Sequence, residues 1–352
     1  VAQFEAGRER ISPEIATDEF LDLMRCYEQI YVTVARLGGY AQLWFSEDTQ
    51  SQAALGFLGR MEELSTDVQN RTLFFSLWWK GLDEEPAQRL IAASGDYAYY
   101  LESLRRFKPY TLSEAEERII NLKDVNGPNA LVKLYEMITN RFTFTLDVDG
   151  GAKEMTRDEL STYDRDPSPE VRAAAYQELF RVYGDQGAVL AQIYNHRVRD
   201  WASENVALRG IGSPVAVRNL ANDIPDPVVE TLLSVCQSNM PVFHRYFRLK
   251  ARWLGMERLR RYDIYAPVRA AEKTYHFPEA AGLVLDSLNR FAPELAGHAR
   301  RVFGDGHVDS EIRPGKRGGA FCAGVLPGVT PWVLINYVGK TDDVFALAHE
   351  MG

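Results

Sequence analysis

The chain has 352 residues, of which 46% are hydrophobic and 25% charged, a composition of soluble globular proteins with room for more than one domain. A formal net charge of −9 sets a phosphate-backbone partner aside, so no nucleic acid is expected. No apolar run reaches membrane-spanning length, since Pro327 and Pro331 interrupt the stretch 325–338, and no membrane partner or signal peptide is expected.

Thr17-Asp18 is a helix start, and Phe20, Leu23, Met24, Tyr27, Tyr31 and Val34 follow with helical spacing. Gly38-Gly39 reads as an interruption, after which the period resumes. A second long helix is predicted over about 49–80. It ends in Phe74-Phe75-Ser76-Leu77-Trp78-Trp79, an aromatic cluster read as core packing. Ser113 and Glu116 form a capping box ahead of another helix, and Gly127-Pro128 separates that helix from the next.

Around residue 141 the period changes to two. Phe142, Phe144, Leu146 and Val148 alternate with polar residues, and Asp149-Gly150-Gly151 supplies a turn, which together read as a hairpin. Thr156 and Glu159 form a second capping box. Ser168-Pro169-Glu170 opens a helix predicted to run past Asp200, with Pro where its missing N–H costs nothing. Asp226-Pro227 repeats the device ahead of Val229, Leu232, Leu233, Cys236 and Met240. The stretch 262–267 is a non-helical connector, and Pro278 starts the next helix. From Gly315 onward Gly and Pro are dense, and two short extended runs are predicted, 319–323 and 332–337. The expected fold is therefore mainly α with a small β element. A helical N-terminal domain is expected over 1–140 and a second region over 141–352.

The last helix carries the chemistry. Thr341 is its expected N-cap, and Asp342 and Asp343 put negative charge in the first turn, where the helix dipole favours it. Val344, Leu347, Ala348 and Met351 make one apolar stripe, and His349-Glu350 lies beside it. An H-E-x-x-H helix places two histidines on one face, where both reach a single Zn²⁺, with the Glu placed to take a proton from water on the metal. Here the first histidine and the glutamate are present, and the second histidine would fall one position past Gly352. Taken alone, the pair reads first as an ordinary helix end bearing a polar histidine, and it is the helical context that moves the reading towards a zinc site.

Other candidates are weaker. Cys26, Cys236 and Cys322 are odd in number and far apart, so neither a disulfide framework nor a thiolate zinc site is indicated, and a cytoplasmic location fits. Cys322 has only Lys316 and Arg317 nearby to lower its pKa and reads as a structural, buried cysteine. His196, His244, His276, His298 and His307 share no ligand spacing.

Three stretches near the end carry a resemblance: 315–322 (Gly-Lys-Arg-Gly-Gly-Ala-Phe-Cys), 331–337 (Pro-Trp-Val-Leu-Ile-Asn-Tyr) and 343–352 with its His-Glu-Met-Gly. With the upstream stretches 155–160, 168–175 and 261–267, they resemble, in order, the oligoendopeptidase F group of the thimet-oligopeptidase-like zinc metallopeptidases. The resemblance implies a helical N-terminal domain followed by the first part of a mostly helical zincin-type catalytic domain, with a deep channel that admits short peptides. It implies one Zn²⁺ per complete site, His349 as a metal ligand and Glu350 as the general base. The remaining ligands are expected beyond Gly352, so these residues alone are expected to be inactive and to bare apolar surface. The runs at Gly319, Ala320, Phe321 and Asn336 are expected either to flank the cleft and bind substrate, one of them pairing with the peptide as an added strand, or to serve only as structural support for the zinc helix. The alternatives are a non-catalytic helical scaffold and a related H-E-x-x-H carboxypeptidase.

Overall fold

The computed structural model describes residues 1–148, 150–268 and 273–352. The fold is mainly α. Helices α1 (Ala2–Glu5), α2 (Thr17–Glu47), α3 (Gln52–Gly81), α4 (Glu84–Ala92), α5 (Ala98–Arg105), α6 (Glu114–Asn126) and α7 (Pro128–Thr139) precede a hairpin of β1 (Phe144–Val148) and β2 (Gly151–Met155). Then come α8 (Arg157–Ser161), α9 (Pro169–Asp185), α10 (Gly187–Trp201), α11 (Pro214–Ala221) and α12 (Asp226–Trp253). The chain ends with α13 (Phe277–Phe291), α14 (Pro293–Gly304), β3 (Val308–Asp309), β4 (Ala320–Ala323), β5 (Trp332–Ile335) and α15 (Thr341–Met351).

Contacts divide the chain into two interleaved units, one of residues 1–41, 56–134 and 191–238, the other of residues 42–55, 135–190 and 239–352. The first is built on the aromatic cluster read from the sequence. Phe4, Phe20, Phe75 and Trp79 are buried together, joined by Met24, Leu90 and Leu101. Each such side chain contributes about 1.5–3 kcal/mol by leaving water. The indole of Trp79 does so without an unmet donor, since its Nε1–H donates to the Leu101 carbonyl at 2.8 Å. In the same unit Arg209 grips Glu117 with two hydrogen bonds of 2.7 and 2.9 Å. Burial alone would raise the Glu117 carboxyl, but the Arg209 guanidinium, the Leu112 N–H and the Lys80 charge together outweigh it and hold it below its ordinary range.

The second unit has two small cores. In one, Phe144, Leu146 and Met155 of the hairpin pack with Leu160, Ala175 and Val182, which uses the inward face of the period-two pattern. Asp149, read as part of the turn, lies outside the described residues. In the other, Val333 and Ile335 pack with Ala280, Val284, Ala299, Val302, Leu347 and Met351. Its sheet has the order β3-β5-β4, with β3 parallel and β4 antiparallel to β5.

Both capping boxes form as read, Ser113 with Glu116 and Thr156 with Glu159. Three expectations need correction. Helix α2 runs unbroken through Gly38-Gly39, because a helical Gly costs only about 1 kcal/mol and Ala41 and Phe45 beyond it are buried. The helix opened by Ser168 breaks at Gln186 and resumes as α10. Thr341 is the first residue of α15 and Lys340 is its N-cap. The apolar period in α12 is real, yet Leu232, Leu233 and Met240 are exposed rather than packed.

Candidate functional site

Helix α15 is set by its own first turn. The Asp343 carboxylate reaches back to accept the N–H groups of Val338 and Lys340, at 2.9 and 2.8 Å. That makes Asp343, three residues in, the closing group of the β5–α15 turn. Arg165 pairs with Asp342 beside it. Leu347 and Met351 are buried and Val344 and Ala348 pack against the same cluster, so the stripe read from the sequence does anchor the helix. This leaves His349 exposed and Glu350 half-buried on the remaining face.

Strand β4 lies against α15 and forms one of the two outer strands of its sheet. The loop leading into it is held at several points. Lys316 is completely buried, and its Nζ donates to Asp309 Oδ1 at 3.0 Å and to the carbonyls of Asp309, Glu311 and Ile335 at 3.1, 2.7 and 3.0 Å. Burial pulls its ammonium below the usual lysine range, and Asp309 opposes that. The Gly315 carbonyl accepts from both the N–H and the hydroxyl of Thr49, each at 2.8 Å.

Gly319, with φ +81°, turns the chain into β4. Its N–H donates to Asp158 Oδ2 at 3.4 Å, and its carbonyl accepts from Asn336 Nδ2 at 3.0 Å. Asn336 Nδ2 also donates to the Arg317 carbonyl at 3.0 Å. Of the four expected cleft residues, Gly319, Ala320 and Asn336 thus meet on one cavity of about 220 Å³, whose walls also include Asp158, Asp343 and Ala346. Phe321 sits on β4 with the Arg317 guanidinium 5.5 Å above its ring.

A second cavity, of about 350 Å³, is walled by Cys322, Glu350, Met351, Val302 and Val329. It brings the glutamate of the motif to the middle of β4. Cys322 is exposed, not buried as its size suggested. Its thiol is raised by partial desolvation and then by the Glu350 carboxylate, whereas Lys316, the cation expected to lower it, is spent on Asp309.

Two residues were missed as site components. Asp158 appeared only as part of a helix start, and its carboxyl is raised by burial, which the Gly319 N–H and nearby Arg157 and Lys316 offset only in part. Lys316 appeared only as a cation near Cys322. Asp158 has no local signal, because its partner Gly319 lies 161 residues away, and the Lys316 contacts to Glu311, Asp309 and Ile335, five, seven and 19 residues away, follow no regular period.

Zinc chemistry can be tested against the donors. An imidazole on an exposed helical face suits Zn²⁺, but a catalytic zinc uses three protein ligands. Among the described residues no second and third donor converge on His349. The trio with metal-binding spacing, Asp124, Asp200 and Glu204, belongs to the first unit. These residues therefore fit one position of such a site.

The profile described as Peptidase family M3 matches residues 162–352. The chain belongs to peptidase family M3. A second profile of the family's kind, Oligopeptidase F, matches residues 78–144. Among similar proteins, oligopeptidase PepF of Bacillus subtilis is 24% identical over 354 residues, covering 96% of this chain and 51% of that protein. The group B oligopeptidase PepB of Streptococcus agalactiae is 25% identical over 345 residues, covering 96% and 55%. The crystal structure of oligoendopeptidase-F from Enterococcus faecium superposes with a TM-score of 0.69 at 20% identity, over 87% of this chain and 59% of that one. The M3 chain thus spans about half the length of the relatives it matches. The mainly α fold expected from the sequence is the family's fold, and no helix among the described residues is long and apolar enough to cross a membrane.

Proposed function

We propose that these residues supply the first metal ligand, the general base and one cleft wall of a zinc-dependent oligopeptidase acting on short peptides. The observation that carries this is the placement of His349-Glu350 on α15, with Glu350 sharing a cavity with the outer strand β4, in a chain of family M3. Residues 141–352 are read as the first part of the catalytic domain.

His349 is assigned as one zinc ligand. A zinc held there would supply polarisation of the scissile carbonyl and a more acidic bound water. Glu350 accepts the proton of the attacking water on its carboxylate and passes it to the leaving amine. Strand β4 offers outward backbone groups with which an extended peptide pairs, reading the main chain rather than side chains. Gly319, Ala320, Phe321 and Asn336 are assigned to this wall. Because the described residues bring one ligand to the metal, they are expected to show no peptidase activity by themselves. Three free cysteines fit a reducing, cytoplasmic setting, and no nucleic-acid or membrane partner is assigned.

The test uses the complete gene product. Zinc-loaded protein is assayed on a short quenched-fluorescent peptide beside Glu350→Gln and a chelator-treated sample. Cleavage abolished by chelation, and reduced by at least about 10³-fold in Glu350→Gln, is expected. Cleavage indifferent to both would remove the reading.

A further inference from the structure

We infer that Asp158 and Asn336 act as a clamp on Gly319 that fixes the start of β4, and that Asp158 is thereby a positioning residue for the peptide-pairing strand. The inference deepens the oligopeptidase reading and rests on it for the role of β4.

The loop before β4 is anchored as far as Arg317. Lys316 is locked by Asp309 and three carbonyls, the Arg317 N–H donates to the Ser46 carbonyl at 3.0 Å, and its guanidinium pairs with Glu136 at 2.8 Å. Strand β4 is anchored from Ala320, which pairs with Ile335. Between these lie Gly318 and Gly319, the two residues with the greatest conformational freedom in the segment. Both peptide groups of Gly319 are nonetheless held, the N–H by Asp158 and the carbonyl by Asn336. The two holders come from different elements of the fold. Asp158 stands in the first turn of α8, which is rigidly started by the Thr156–Glu159 capping box. Asn336 directly follows β5, the strand that leads into α15.

A side-chain period of two makes register unforgiving. A one-residue slip at Gly319 would exchange the faces of Ala320, Phe321 and Cys322 and redirect every outward N–H and C=O of the strand. The clamp removes that freedom before a peptide arrives, so the ordering cost is not charged to binding. Removing it should weaken peptide capture while leaving the proton chemistry at Glu350 in place.

The experiment compares wild type, Asp158→Ala and Asp158→Asn in the complete gene product, by steady-state kinetics on a short peptide and by amide hydrogen exchange across 315–323. Asn keeps an acceptor oxygen where Ala has none. The expected result is a KM about tenfold higher in Asp158→Ala with kcat within about twofold, and exchange at Gly319 through Ala323 about tenfold faster. Asp158→Asn should restore both. An active enzyme in which Asp158→Ala leaves KM and local exchange unchanged overturns the clamp. So does faster exchange spread evenly over the second unit, which would mean a general loss of stability. A wild-type protein that cleaves no peptide removes the oligopeptidase reading, and with it the role assigned to β4. Exchange at Gly319 still decides separately whether Asp158 holds the strand.

Discussion

One oxygen of the Asp343 carboxylate accepts the backbone N–H of Val338 at 2.9 Å, while also accepting that of Lys340 at 2.8 Å. The pair joins the end of the sheet to the start of the helix that carries His349 and Glu350. Asp343→Ala leaves two N–H groups of a half-buried turn without this acceptor, and is expected to cost about 1–2 kcal/mol. Asp343→Asn retains an acceptor oxygen and should cost less than half of that. Urea titration of the three proteins checks it, and equal midpoints would show that the turn does not depend on this side chain.

The second unit also depends on a buried ion pair. Arg172 donates to Asp263 Oδ1 from Nε and Nη2, at 3.3 and 2.8 Å, and its Nη1 donates to the carbonyls of Asp166 and Pro167. The two side chains are 3% and 0% exposed. Arg172→Met strands a buried carboxylate and two carbonyls, for an expected loss of about 3 kcal/mol at pH 7, with Arg260 remaining as a partner. Burial would raise the Asp263 carboxyl, but hydrogen bonds from Arg260 and Arg172 outweigh it and keep it below the usual range. A depressed native pKa means stability that is present at neutral pH and is lost as pH falls through it. The gap between Arg172→Met and wild type should therefore narrow on acidification below about pH 4. A gap that is constant from pH 7 to pH 3 would show that packing, not the ion pair, carries the loss.

What could be read from the sequence is what short-range physics writes there. The capping pairs Ser113–Glu116 and Thr156–Glu159 span three residues, and the stripe Val344, Leu347, Ala348, Met351 repeats within two turns, so both were legible and both stand. Gly38-Gly39 misled because tertiary burial of Phe45 outweighs two weak helix formers. The parallel pairing of the two-residue β3 with β5 joins Val308 to Val333, and too few residues take part for a period to show. Asp158 was legible as a helix start and invisible as a partner of Gly319, since nothing near either residue reports the contact. His349-Glu350 was legible as the start of a motif, but the cavity that Glu350 shares with Cys322 depends on how β4 packs against α15.

In the first unit, Asp124 should respond to pH in the opposite sense to Asp263. Its carboxyl is pushed up to about 6, first by burial and then by the carboxylates of Glu204 and Asp200, with Arg209 pulling the other way. A carboxyl raised in the native state favours folding while protonated, and this contribution fades as pH rises from its unfolded value, about 4, through 6. Asp124→Asn removes the charge with little change of shape. It is expected to stabilise the protein by about 1 kcal/mol at pH 8, a figure reduced for the partial solvent exposure of the site. At pH 4 the gain should vanish, since the wild-type residue is then protonated in the native state. Thermal melts of the two proteins at both pH values check this, and a gain of equal size at pH 4 would rule out titration of Asp124 as the cause.

Gly315 and Gly319 share a left-handed backbone, with φ of +82° and +81°, but have different surroundings. A Cβ at Gly319 would meet open space, whereas one at Gly315 would stand 2.7 Å from Asp48 Oδ1 and 3.4 Å from the Gln50 side chain. Asp48 is not free to yield without loss, because the same oxygen accepts the Gln50 N–H at 2.9 Å. Gly319→Ala should therefore carry only the backbone penalty, about 1–2 kcal/mol. Gly315→Ala should carry that penalty plus the displaced hydrogen bond, for a further loss of about 1 kcal/mol. The comparison cancels the common backbone term, so the difference between the two urea midpoints isolates the clash. If Asp48→Ala in the Gly315→Ala background recovers part of the extra loss, the clash is with Asp48. If it recovers none, the strain lies in the backbone, and the Thr49 contacts to the Gly315 carbonyl become the place to look for it.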